Sequence, residues 1–276
     1  MKIVLHHIRG LPRSVRFWTA IIFASLVAMG IAVDYYRFCV RYEVTANIFE
    51  GFLISSGYRL SGVFHPINAC FLICNAPFFD DNATFVIYRS GRKKWYWQST
   101  FYVVLTILGY YLLVAISTCI ITLPISYAAN MWSSAIAMLS DESGAYMLSN
   151  GVIYSGTVLT KYSPICAAFK QYGLMSVYTT AMALLFYMLS YKGRKIWAFS
   201  IPVFVHAILF IIYLDGFYAD FSLFTWMNLQ AWAKAGNFQK LLFFSGTSII
   251  SLISILIGKH NATKADINNL SSIWLS

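Results

Sequence analysis

No formal charge occurs from Trp95 to Ser140, and none occurs in SGVFHPINACFLICNAPFF, the nineteen residues from Ser61 to Phe79. A helix needs about 20 apolar residues to cross a bilayer core, so runs of this kind are candidates for membrane spans. Between them lies DDNATFVIYRSGRKKWYW, Asp80 to Trp97, where charge suddenly concentrates. A cluster pinned between two spans has to be a short loop or a surface helix. Arg89, Arg92, Lys93 and Lys94 outnumber Asp80 and Asp81 there, which by the positive-inside bias puts the cluster on the cytoplasmic face.

Composition supports the same class. Of 276 residues, 59% are hydrophobic and 11% charged, whereas soluble domains carry about 25% charged residues. A soluble fold could not hide that much apolar surface. The net charge of +10 would in isolation suggest nucleic acid, but bases sorted to one side of a membrane give the same total.

The expectation is an all-α integral membrane protein, a single transmembrane domain over 1–276, with six transmembrane helices near 17–33, 61–79, 99–123, 171–191, 196–214 and 241–258. The first sixteen residues carry four bases and no acid. The run after them reads as a retained helix, because Ala28-Met29-Gly30, the small-x-small triplet of a cleavable leader, lies inside it. Asp34 to Arg59 mixes charges with aromatics and reads as amphipathic material lying along the outer surface. Gly144 to Thr160 is free of charge but diluted by serine, asparagine and glycine, and reads as an external surface-lying or re-entrant segment. YKGRK, Tyr191 to Lys195, has room only for a tight turn.

With both termini inside, 13 bases and 3 acids fall on the cytoplasmic face, leaving seven of each outside. Topology then accounts for the whole net charge. A seventh span at Gly144 to Thr160 would move KGRK outside, which argues against it.

The order of a proline-containing second span, APFFDD, and the basic run IYRSGRKKWYWQS leading into a long third span resembles the membrane subunits of ABC-2-type ABC transporters. The matching positions are Pro77, Asp80 or Asp81, Arg89, Arg92, Lys93, Lys94 and Trp95; the family's pattern has a glycine where Asn82 to Tyr88 has none. The resemblance implies an exporter permease of a bacterial plasma membrane, with Asp80, Asp81, Arg89, Arg92, Lys93, Lys94 and Trp95 forming the coupling site for ABC ATPase subunits. ATP and magnesium would be bound by those partners. No GxxxxGK[ST] occurs in this chain, and no cofactor of its own is expected. The translocation path of such transporters lies between two membrane subunits, so a second permease, identical or similar, is implied as well. Membrane lipid is the other expected partner and nucleic acid is not one.

A bland alternative assigns the bases to topology and anionic lipid and the aromatics to an interfacial belt. Other function classes also stay open: an intramembrane enzyme, or a non-enzymatic membrane protein conferring self-protection or acting in a receptor. His206 falls mid-span and is a candidate either for lining a path or for facing a partner helix. His65 is expected near the outer interface. Cys70 and Cys74 read as packing residues, since no second ligand pair accompanies them. Glycosylation patterns at Asn82, Asn261 and Asn269 fall on the expected cytosolic side.

Overall fold

The computed structural model describes residues 2–78, 83–140, 154–191, 195–216 and 218–264. The elements are α1 (Lys2–Gly10), α2 (Val15–Arg41), β1 (Ala46–Asn47), α3 (Glu50–Gly57), α4 (Arg59–Leu72), α5 (Ala83–Ser90), α6 (Arg92–Thr122), β2 (Ser126–Tyr127), α7 (Ser134–Leu139), α8 (Gly156–Lys161), α9 (Pro164–Ser190), α10 (Lys195–Asp215), α11 (Leu223–Trp226), α12 (Leu229–Lys234) and α13 (Asn237–Lys264). Among the described residues the chain is all-α apart from one two-residue parallel pairing, Ala46 with Ser126 and Asn47 with Tyr127.

Among the described residues five helices are long and apolar enough to cross a membrane: Val15–Arg41, Arg92–Ile125, Pro164–Ser190, Ile196–Asp215 and Asn237–Lys264. Their exteriors stay apolar, with Leu26, Phe101, Phe204, Ile211 and Leu252 all exposed. That inversion of the soluble pattern fits side chains solvated by lipid.

The stretch expected as a second span is not one long helix. α4 has 14 residues, about 21 Å at the usual rise, and turns follow it to Phe78. Its last turn closes through the Ile73 amide on the Cys70 carbonyl at 3.2 Å. Ahead lies Pro77, which disfavours helix at the residue before it. Pro66, by contrast, sits inside α4, as a helix surrounded by other helices allows.

Contacts fix the direction of each long element. Trp95 on α6 meets Tyr191 just past α9 with ring centroids 6.1 Å apart, Arg92 on α6 donates to the Thr263 carbonyl of α13 at 2.8 Å, and Arg16 on α2 bonds Asn75 just past α4. We call this the terminal end, because α1 and the end of α13 converge there. At the opposite loop end gather β1, β2 and the short helices α3, α7, α8, α11 and α12. α2, α4, α6, α9, α10 and α13 therefore run alternately between the two ends, with α4 as the short return.

Two expectations are corrected here. Asp34 to Arg59 does not lie along a surface: α2 continues to Arg41, and Glu50 to Ser56 of α3 are all buried. The mixed sequence misleads because Glu50 is buried with its own donors, while Arg37, Arg41 and Glu43 sit exposed on the end of α2 and the turn after it. α9 begins at Pro164 rather than Gln171, since a proline at the first helical position costs no hydrogen bond. Of the Gly144 to Thr160 segment, 144–153 lie outside the described residues, and its end forms α8. Lys192 to Arg194 of the tight turn lie outside them too, between the end of α9 and the start of α10.

Charge is sorted along this axis. Every described acid, Asp34, Glu43, Glu50, Asp215 and Asp220, belongs to the loop end. Arg9, Arg13, Arg16, Arg89, Arg92, Lys93, Lys94, Lys259 and Lys264 belong to the terminal end.

Candidate functional site

α5 and α6 form a hairpin at the terminal end. α5 has eight residues with Arg89 in its last turn, and its chain direction changes at Gly91, whose φ of 80° and ψ of 143° suit glycine alone. One side of α5 is anchored by Ile87, which is buried; on the other, Phe85 is 75% and Tyr88 80% exposed. Arg89, Lys93 and Lys94 are exposed beside them. The hairpin thus presents two aromatic rings and one cation from α5, with two more cations from the first turn of α6.

The expected coupling residues divide in two. Arg89, Lys93 and Lys94 are accessible. Arg92 is held by the Thr263 carbonyl at the end of α13, where a cation complements the helix dipole. Trp95 is 3% exposed, packed against Tyr191. Asp80 and Asp81 lie outside the described residues. Phe85 and Tyr88 were not singled out from sequence, although their i, i+3 spacing in ATFVIYRS places them on one face of any helix formed there.

Beneath the hairpin is an aromatic packing layer. Tyr96 stacks on Tyr187 at 5.6 Å, Phe78 stacks on Tyr187 at 5.9 Å, and His7 of α1 meets Phe78 and Tyr102 at 5.5 and 5.2 Å. Offset and edge-on rings at these separations add to the area they bury. They tie α1, α6 and α9 into one block under α5.

A polar layer crosses the middle of the bundle. The Nδ1 of His65 lies 2.9 Å from the Tyr110 hydroxyl, to which Asn68 also donates at 3.1 Å. Tyr111 meets Thr179 at 2.7 Å. His206 meets the Tyr178 hydroxyl through Nδ1 at 2.7 Å and the Val63 carbonyl through Nε2 at 3.1 Å. His65 is therefore an interior residue, not an interfacial one, because α4 turns it inward against α6. His206 faces partner helices α9 and α4. The void beside it, bounded by Pro66, Cys70, Met182 and Pro202, is about 10 Å³, space for one water at most. Among the described residues no three His, Cys, Asp or Glu side chains converge to hold a metal ion.

The loop end is organised around Glu50, which sequence reasoning passed over. Its Oε2 accepts from the Tyr35 hydroxyl at 2.7 Å, the Asn47 amide at 2.7 Å and the Ser133 hydroxyl at 2.6 Å; its Oε1 accepts from the Ser133 amide at 2.9 Å. Burial raises its pKa above the ordinary 4.5, and the four donors work in the opposite direction. The same burial raises Tyr154, with the Glu50 charge adding to it. These bonds pin α2, β1, α3 and the start of α7 together. Asn47 and Glu50 are three apart, the spacing at which a carboxylate reaches back to a backbone amide as in a capping box, although Phe49 is the N-cap of α3 and Glu50 its first residue. That spacing was the available signal.

No family model, curated protein or solved structure matches this chain.

Proposed function

We propose that this chain is the membrane subunit of an ATP-driven exporter, moving its cargo along a path shared with a second permease. Separate ATPase subunits, which bind ATP and magnesium, dock on the α5–α6 hairpin. The observation that carries the reading is α5 itself. Bases that serve topology alone need no aromatic neighbours; here Phe85 and Tyr88 stand out of the bundle beside Arg89, where rings serve either a docking surface or an interfacial belt. A docking site needs such aromatic anchors with charges around them to set orientation.

In this reading the terminal end faces the cytosol of a bacterial plasma membrane, as its bases favour. α4, flanked by the turns to Phe78, completes a sixth crossing, so both termini lie inside. An impermeant thiol reagent applied to intact cells then labels Lys234→Cys, whereas Lys264→Cys reacts only after permeabilisation. Labelling of both from one side removes the six-crossing topology.

The coupling claim is tested by Phe85→Ala combined with Tyr88→Ala. Truncating aromatic anchors of an interface costs about 2 kcal/mol each, so co-purification with the ATPase subunits and stimulation of their ATP turnover should fall at least about tenfold. Both rings are exposed, so the chain should still insert and purify normally. Unchanged co-purification and turnover would sink the proposal.

A further inference from the structure

At the loop end, the break between α3 and α4 opens a cavity of about 470 Å³, within the usual range of about 300–1,000 Å³ for small-molecule sites. Its rim is polar, formed by Tyr58, Arg59, Asn228 and Gln230, and its floor includes Met175, Phe224 and Met227. Among the described residues Arg59 is the only charged one in the lining. The guanidinium lies 5.9 Å from the centroid of Tyr213, and among the described residues no carboxylate pairs with it.

Deeper in, Gln171 lines the same cavity and is 2% exposed. Its Oε1 accepts from the Leu229 amide at 2.7 Å and its Nε2 donates to the Met227 carbonyl at 3.4 Å. An amide nitrogen has two hydrogens, so one donor remains for a guest. Beside the hydroxyls of Ser56 and Thr225, the lining thus offers a guanidinium cation and a spare amide donor, with no opposing acid among the described residues.

We propose that this cavity binds a small organic anion. A carboxylate or phosphate head is held by Arg59 and an aromatic or aliphatic body lies on Met175, Phe224 and Met227. Guanidinium recognises either head through paired N–H donors, and thioether and phenyl surfaces accept varied apolar bodies. The site stands apart from the exporter reading, since binding needs neither an ATPase nor a second permease.

The test is calorimetric titration of the full chain in phosphatidylcholine nanodiscs with 4-phenylbutyrate, phenyl phosphate and the neutral 4-phenylbutanol. At least one anion should bind saturably, one per chain, and at least tenfold more tightly than the alcohol; this comparison requires no variant. Arg59→Gln should weaken the anion at least tenfold, to the level of the alcohol, while Arg37→Gln, an exposed arginine at the same end but outside the cavity, leaves it unchanged. Replacing a fifth of the lipid by phosphatidylglycerol separates two sources of the head. Competition assigns the site to a lipid headgroup, and its absence to a free anion. The proposal falls if neither anion saturates, if the alcohol binds as well as they do, or if Arg59→Gln binds as the unaltered chain does.

Discussion

The two ends of the bundle are held by different physics. At the terminal end the long helices simply stop and are joined by ring contacts, Tyr96 on Tyr187, Trp95 on Tyr191 and Phe78 on Tyr102, together with a few hydrogen bonds such as Arg92 to the Thr263 carbonyl and the Tyr96 hydroxyl to the Ile255 carbonyl. At the loop end the chain leaves helical geometry repeatedly, and every turn exposes amides and carbonyls that a buried site must satisfy. Side chains do it. Ser222 donates to the Leu209 carbonyl at 2.6 Å, Trp132 to Tyr162 at 2.8 Å, Lys161 to Ala233 at 2.6 Å and Asn228 to Gly57 at 3.1 Å. Directional bonds fix one arrangement, whereas stacked rings tolerate sliding. The loop end is thus a rigid cap, and the terminal end is where a lever such as α5 can move without unmaking the bundle.

The most direct way to break that comparison is at Glu50. Glu50→Ala orphans four buried donors and leaves a void, so we expect a loss on the order of 3 kcal/mol in reversible unfolding. Amide exchange should accelerate at 42–53 and 126–139 while α6 near Trp95 stays protected. Glu50→Gln, which keeps the volume and one acceptor oxygen, should lose less. Uniform acceleration along the whole chain would mean that the ends are not separately held.

The terminal end has a matching probe in Gly258. A Cβ placed there would lie 2.6 Å from the Tyr96 hydroxyl, which donates to the Ile255 carbonyl at 2.9 Å. Gly258→Val forces α13 away from α6, and overpacking of this kind costs about 2 kcal/mol. Because rings can slide, the damage should spread: loss of tyrosine and tryptophan near-ultraviolet dichroism, with exchange at the loop end unchanged. A larger loss than that of Glu50→Ala would reverse the ranking of the two ends.

A smaller effect comes from acidity. Since burial raises the folded pKa of Glu50 above 4.5, the folded chain takes up a proton before the unfolded one does. Its contribution is therefore fully present below 4.5 and lost as pH rises through the folded value. Within that window, each unit of falling pH should add up to about 1.4 kcal/mol of stability, opposite to ordinary acid unfolding. Glu50→Gln should abolish this slope in urea titrations run across the window, and a slope of the usual sign would show the four donors outweighing burial.

What could be read from sequence follows the same division. α10 and α13 are self-evident because their signal, a long uncharged apolar run, is local and needs no partner. The basic hairpin is legible for a similar reason, since charge density is a property of the stretch alone. Glu50 was hidden because Ser133, which supplies two of its four donors, is 83 positions away. The burial of Trp95 was not legible because an interfacial tryptophan and a buried one have identical local sequence; its packing on Tyr191 comes from 96 positions away. The cavity at Arg59 draws its walls from α3, α4, α9, α10 and the α11–α12 region, and no window of sequence contains it.

The smallest stability effect should come from Gly91, and it separates lever from ballast. A non-glycine residue at φ 80° and ψ 143° costs about 1–3 kcal/mol locally, yet nothing lies within 4 Å of where its Cβ would be. The chain can relieve the strain by swinging α5, which is anchored chiefly through Ile87, so global unfolding should shift by less than about 0.5 kcal/mol. The direction of Phe85, Tyr88 and Arg89 would change nonetheless. On the exporter reading proposed above, Gly91→Ala should therefore fold, insert and melt like the unaltered chain while losing most of its stimulation of the ATPase subunits. If stimulation survives, the orientation of α5 does not matter and the lever is elsewhere; if stability collapses instead, α5 is part of the bundle and the terminal end is as rigid as the loop end.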